Sequence, residues 1–180
     1  MRIISGKYKG RVLHPPGNLP VRPTTDFAKT GLFNILENQI EFENLNCLDL
    51  FSGTGGISME LISRGSNSVT SVDRDYGCTA FQKETTRLLG IHNLRIIRTD
   101  VLTFIKKKHE PFDLIFADPP YDLNIHESLT RSLVEGNLLS QGGIFILEHN
   151  AKQDWSTLPG FQSNRTYGNV AFSFFTKLEP

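Results

Sequence analysis

The stretch Cys47-Leu48-Asp49-Leu50-Phe51-Ser52-Gly53-Thr54-Gly55-Gly56 decides the architecture. Cys47–Phe51 has the character of a short buried strand. It runs directly into a glycine-rich turn, after which Gly56–Ser63 is helical and is closed by Gly65. Strand, glycine turn and helix in that order open a ligand-binding α/β unit, because glycines let the backbone turn sharply and approach a ligand. A dinucleotide site for hydride transfer also wants glycine at position 58, where this chain has Ser58. A cofactor without a pyrophosphate suits the loop better.

Downstream the pattern alternates. Strands are expected at Ser68–Val72, Leu94–Arg98, Phe112–Ala117 and Ile144–Glu148, the last preceded by Gly142-Gly143. Helices are expected after Asp75 up to Gly90, over Val101–Lys107 and over Ile125–Glu135. Alternation of this kind implies parallel βαβ units with right-handed crossovers. The end differs: Phe161–Tyr167 and Val170–Lys177 flank Gly168-Asn169, a tight hairpin signal. The fold class is therefore α/β, a mostly parallel seven-stranded sheet ending in an antiparallel hairpin, with helices on both faces. By analogy this is the Rossmann-like methyltransferase fold.

Upstream, Arg2–Ile4 and Arg11–Leu13 read as a small N-terminal β-hairpin around Gly6–Gly10. His14–Pro23 holds four prolines and reads as an extended linker. Thr24-Thr25-Asp26 offers a helix cap, with Ala28, Leu32, Ile35, Leu36 and Ile40 at helical spacing behind it. Gly31 is the odd residue in that helix, costing about 1 kcal/mol relative to Ala. This divides the chain into a basic extension and linker over 1–22 and a catalytic domain over 23–180. The 180 residues carry a formal charge of zero, yet residues 1–30 hold six Lys and Arg against Asp26 alone, a net +5. A basic segment on a neutral chain suits phosphate binding, and equally a solvated hairpin with no partner.

Several classes are disfavoured. No apolar run approaches the roughly 20 residues needed to cross a bilayer, and Lys7, Lys9 and Arg11 interrupt any leader. Cys47 and Cys78 form neither a disulfide framework nor a zinc site, and the five histidines show no metal-ligand spacing. A cytoplasmic protein without a metal is expected.

Three acids follow or end the first three β-strands of the alternating region: Asp49, Asp73 and Asp100. Ligands bind at that edge of a doubly wound sheet, and a carboxylate about 20 residues past the glycine loop accepts ribose hydroxyls. The cofactor set is Asp49, Phe51, Ser52, Gly53, Thr54, Gly55, Asp73 and Arg74, with Asp100 and Val101 toward adenine. The expected cofactor is S-adenosylmethionine, leaving as S-adenosylhomocysteine.

The fourth strand runs into Asp118-Pro119-Pro120-Tyr121. Two prolines stiffen the backbone and remove its donors, leaving carbonyl acceptors and one carboxylate. An exocyclic amine on a base is a poor nucleophile, since its lone pair is delocalised into the ring. Two acceptors, the Asp118 side chain and the Pro119 carbonyl, can grip its two N–H bonds and aim the nitrogen. Tyr121 offers a face for a flipped base. Asp118, Pro119, Pro120 and Tyr121 are thus the candidate catalytic group.

The chain resembles the RsmD-type 16S rRNA guanine-N2 methyltransferases of bacteria over nearly its whole length. The residues carrying the resemblance are Arg2-Ile3-Ile4-Ser5-Gly6 with Gly10-Arg11, Arg22-Pro23-Thr24-Thr25-Asp26, Leu32-Phe33-Asn34, the glycine loop and Asp118-Pro119-Pro120-Tyr121. The resemblance implies N2 methylation of a guanine in small-subunit 16S rRNA, within a partly assembled subunit; a monomer is expected. It also implies that the hairpin binds RNA, with Arg2, Lys7, Lys9 and Arg11 on the nucleic acid and Arg22, Thr24 and Thr25 near the target base. Thr30 departs from the pattern, standing where the family carries Glu. A DNA adenine or cytosine amino-methyltransferase would use a similar corner, as would a protein-glutamine methyltransferase. An assembly factor that binds RNA without catalysis is the non-enzyme alternative.

Overall fold

A computed structural model describes residues 1–21 and 24–178. Among the described residues, seven strands form one sheet in the order β3-β2-β1-β4-β5-β7-β6. They are β1 (Asn46–Leu50), β2 (Ser68–Asp73), β3 (Leu94–Arg98), β4 (Phe112–Ala117), β5 (Leu139–Asn150), β6 (Phe161–Tyr167) and β7 (Val170–Thr176). The first five pair in parallel, and β7 runs antiparallel between β5 and β6. The α-helices are α1 (Asp26–Glu37), α2 (Gly56–Ser63), α3 (Tyr76–Leu89), α4 (Val101–Ile105) and α5 (His126–Glu135).

Side-chain alternation along the strands builds two cores. Cys47, Leu114, Phe116 and Ile146 face one way, against Leu32, Phe33 and Leu36 of α1 and Ile57, Met59 and Leu61 of α2. Leu48, Ile115, Phe145 and Leu147 face the other way, against Phe104 of α4 and Leu129 and Leu133 of α5. The chain lays β1, β2 and β3 outward to one side, then returns β4 to the other side of β1. That reversal opens a crevice at the strands' carboxyl ends, where sheets of this kind bind ligands.

Four expectations need correction. The strand expected at Ile144–Glu148 begins at Leu139 and absorbs Gly142-Gly143. A register shift between Phe112 and Leu114 lets β5 run past the glycines without losing its pairing with β4. The first helix stops at Glu37, so Ile40 lies beyond it, and α4 stops at Ile105 rather than Lys107. The N-terminal hairpin has the expected turn but only one β-bridge, Arg2 to Val12.

That hairpin is fastened to the body. The carboxylate of Glu60, fully buried in α2, accepts from Ile4 N at 2.9 Å and Ser5 N at 3.0 Å. Lys7 N donates to Ser63 O at 2.7 Å, and Ile3 is in the core. Glu60 also meets Arg64 at 3.0 Å and Lys29 at 3.6 Å. Lys29 is 2% exposed, so it leaves the basic surface expected of residues 1–30. Its burial holds its pKa below the ordinary lysine value, against the attraction of Glu60 and Asp26.

Gly31 has a reason that periodicity hides. A Cβ there would lie 2.1 Å from the Tyr167 ring, so glycine lets β6 pack against α1.

Candidate functional site

A cleft of about 960 Å³ opens at the carboxyl ends of β1, β2, β4 and β5. Its floor is the turn after β1. Phe51 takes a left-handed φ of 59°, unusual for a non-glycine residue. Ser52 N donates to Val72 O at 3.1 Å, and Gly55 N closes the turn on Ser52 O at 2.8 Å. Gly55 has φ 80° and stands at the N-cap of α2. A Cβ at Gly55 would lie 2.9 Å from Gln82 Cγ, so glycine is required twice over there.

Gln82 was not anticipated from the sequence. It is fully buried and donates from Nε2 to Gly53 O at 2.7 Å and to Ser52 Oγ at 3.0 Å. Ser71 Oγ donates to its Oε1 at 2.6 Å. Helix α3 thereby holds the glycine turn in shape. Nothing in the local pattern marks Gln82, which reads as one more polar residue of an amphipathic helix.

The strand-end acids Asp49, Asp73 and Asp100 line this cleft, each in a different environment. Asp49 is 1% exposed, and its Oδ2 accepts from Ser58 N at 3.0 Å and Ser58 Oγ at 2.5 Å. Ser58, the position where a dinucleotide loop wants glycine, is thus the partner of a buried acid. Burial raises Asp49 to about 7 in spite of those two hydrogen bonds. Asp73 accepts Gly53 N on Oδ2 and Asp75 N on Oδ1, both at 2.8 Å, tying β2 to the turn. Asp100 is exposed and caps α4 through Thr103 N at 3.0 Å. Thr54, Arg74 and Val101 complete this side of the cleft.

On the other side stand Asp118, Pro119, Pro120 and Tyr121. Asp118 N donates to Leu50 O at 3.4 Å, holding the corner against β1. Pro119 is buried, and Tyr121 is 50% exposed at the head of a short 3-10 turn. Burial raises the Asp118 pKa well above the carboxylate range, with repulsion from Glu148 and then Asp49 adding to it.

Glu148 was missed, although it ends the strand expected from the sequence, as Asp49 and Asp73 lie at the ends of theirs. It is 3% exposed on the cleft wall, and its Oε2 accepts from Thr24 Oγ1 at 2.7 Å. Burial raises it to about 7, against the effect of the Thr24 hydrogen bond. Lys29 also reaches the cleft. Its signal was its place on the apolar stripe with Leu32, Phe33 and Leu36, where a lysine is buried only if paired.

The nucleic-acid set divides. Thr24 and Thr25 line the cleft, Thr25 also capping α1 by accepting from Ala28 N at 3.2 Å. Arg2, Lys7, Lys9 and Arg11 are exposed but do not line the cleft. Arg22 lies outside the described residues.

Asp49, Asp73, Asp75, Asp100, Asp118 and Glu148 face the cleft against Lys29, Arg74 and Lys152. An anionic pyrophosphate would meet repulsion here, whereas a ligand with vicinal hydroxyls and a positive centre would be attracted. S-adenosylmethionine, which carries a sulfonium, fits that donor set.

A family model described as conserved hypothetical protein 95 matches residues 1–176. The ribosomal RNA small subunit methyltransferase D of Haemophilus influenzae is 31% identical, the alignment covering 94% of each chain. The chain belongs to this family. Within it, the putative rRNA methyltransferase YlbH of Bacillus subtilis is also 31% identical, over 98% of this chain and 99% of that one. Among solved structures, a putative methyltransferase yhhF from Escherichia coli superposes with a TM-score of 0.88 at 24% identity, covering 100% of this chain and 99% of the other. The family's methyltransferase fold thus carries a cleft in which the glycine turn and the Asp-Pro-Pro-Tyr corner face one ligand volume.

Proposed function

We propose that this protein transfers a methyl group from S-adenosylmethionine to the exocyclic N2 amine of a guanine in small-subunit 16S rRNA. One observation carries the reading: the Asp118-Pro119 acceptors and Ser52, Gly53 and Thr54 of the glycine turn open on the same acid-lined cleft, which Gly55 does not line. The bound cofactor supplies an electrophilic methyl group on its sulfur.

The turn from Phe51 to Gly55 holds the methionine part, and Asp73 faces the ribose hydroxyls with its remaining lone pairs. Asp49 supports the turn from beneath, and Arg74 closes the ribose end. Asp100 and Val101 border the adenine. The Asp118 carboxylate and the Pro119 carbonyl accept the two N2–H bonds of the target base, fixing the nitrogen lone pair toward the methyl carbon. Pro120 keeps that corner rigid, and Tyr121 stacks on the base. As the N–C bond forms, the methyl's bond to sulfur breaks, leaving a neutral thioether, and the nitrogen becomes strongly acidic. Asp118, whose proton affinity is raised, takes the proton released there.

The basic surface of Arg2, Lys7, Lys9 and Arg11 holds the RNA backbone, with Arg22, Thr24 and Thr25 carrying it toward the cleft. The extension over 1–22 is the RNA-binding part and 23–180 the catalytic domain. The protein acts as a monomer in the cytoplasm, on rRNA within a partly assembled small subunit. No helix among the described residues is long and apolar enough to cross a membrane.

The test is incubation with labelled S-adenosylmethionine and small-subunit particles from a strain lacking the enzyme. Label on N2 of a single 16S guanine is expected. Unlabelled rRNA would end the proposal, and preferential labelling of duplex DNA would redirect it.

A further inference from the structure

The proposed reaction leaves one buried carboxylate on the cleft wall without a task. Glu148 lies on β5, and Asp118 directly follows β4. These strands pair in parallel with Ala117 opposite Leu147, so Asp118 and Glu148 are the next step of the same register. Strands so paired run about 4.8 Å apart. Ala117 and Leu147 share the far core, so alternation turns the next pair, Asp118 and Glu148, toward the opposite side of the sheet. The structure therefore sets two carboxylates side by side at the mouth of one cleft.

Such an arrangement is costly. Each carboxylate is withdrawn from water and repels the other. Thr24 engages Oε2 of Glu148, and among the described residues Oε1 has no hydrogen-bond partner. On the cleft wall, that second oxygen is where a ligand can place a donor.

Guanine provides that donor. Its Watson–Crick edge carries N1–H next to the N2 amine, three N–H bonds in a row. The corner at Asp118 and Pro119 uses the two on N2. The neighbouring acceptor in the row then meets N1–H. Adenine presents a bare N1 lone pair beside its amine, which would be pressed against a carboxylate.

We propose that Glu148 is a specificity residue that accepts the N1–H of the target guanine, selecting guanine over aminated purines that lack that hydrogen. Thr24 holds the carboxylate in place and leaves its other oxygen to the base. This inference rests on the reading that Asp118 grips the exocyclic amine of a guanine.

The decisive substrate is 2-aminopurine, which keeps the 2-amine but has an unprotonated N1. Small-subunit particles are reconstituted with rRNA ligated to carry either guanine or 2-aminopurine at the target position. The wild-type protein should prefer guanine by roughly 10- to 100-fold in kcat/KM. Glu148→Gln presents an amide that can donate to N1, and should narrow that preference to within about threefold. Binding of S-adenosylmethionine to E148Q, measured by calorimetry, should stay within about twofold of wild type, because the inference places no cofactor contact on Glu148.

A role confined to anchoring Thr24 would slow both substrates equally and leave the ratio unchanged. That result would overturn the inference. Equal use of the two bases by the wild-type protein would do the same, however the variant behaves. Failure of the wild type to methylate the guanine particles would instead strike the parent reading.

Discussion

At Asp118 two demands conflict. Folding favours a neutral group there, because burial and the neighbouring Glu148 and Asp49 carboxylates all raise its pKa. Gripping an amine and taking its proton favour the ionised form. Methyl transfer should therefore rise with pH as Asp118 and Glu148 lose their protons, Glu148 near 7. A pH profile of single-turnover rates from 5.5 to 8.5 checks this, and a flat profile would remove the proposed role. Asp118→Asn should abolish transfer and leave cofactor affinity within a few-fold. It should also stabilise the free protein. A carboxyl group whose folded pKa is raised contributes stability that is complete at low pH and lost as pH rises through the folded value. The variant lacks that loss. Its melting temperature should exceed wild type at pH 8, by roughly 2–4 °C for each kcal/mol relieved, and match it only at about pH 4 and below, where the carboxyl is protonated in the unfolded chain as well. Asp73→Ala should act differently, weakening cofactor binding by about 10-fold or more.

Helix α2 works as a clamp between the sheet and the N-terminal hairpin. Glu60 is its fastener, accepting from two hairpin amides and meeting Lys29 and Arg64. Removing one partner of a buried charged network leaves the others uncompensated. Glu60→Ala should cost about 3–5 kcal/mol in urea unfolding. The amides of Ile4 and Ser5 should then exchange early, and unchanged protection there would refute the clamp. Helix α1 provides a second element-scale case. Helix propensity alone makes Gly31→Ala a gain of about 1 kcal/mol. The Tyr167 ring, 2.1 Å from the added Cβ, should turn that gain into a loss. Melting of G31A, Y167A and the double variant separates the two effects, with the double variant losing less than the sum of the singles.

Over the whole molecule, a formal charge of zero conceals an acid-lined cleft and a basic hairpin surface. The two regions suit two ligands, a cationic cofactor and a polyanion. Replacing Lys7 and Arg11 with Ala should weaken RNA binding. The slope of log affinity against log salt should fall by about one for each phosphate no longer neutralised. Cofactor binding should couple to protons as well. Asp49 lies near 7, and a positive ligand favours its ionised form. Calorimetry at pH 6.5 in buffers of differing ionisation enthalpy should register net proton release on binding S-adenosylmethionine. The release should be smaller for S-adenosylhomocysteine, which lacks the sulfonium.

The sequence by itself determined the order of elements, the parallel sheet with its closing hairpin, and the glycine turn. Those features follow from local periodicity and from glycine and proline chemistry, which act over a few residues. The strand-end acids and the Asp118 corner were legible for the same reason, since each directly follows or ends a strand. Only the tertiary structure decided the roles of Gln82, Lys29 and Gly31, whose partners Gly53, Glu60 and Tyr167 lie far off in sequence. It also fastened the basic hairpin to α2, and it brought Glu148 beside Asp118. That last pairing depends on the register of β4 against β5. Register is a long-range property, set by how the two cores pack, and no local pattern carries it.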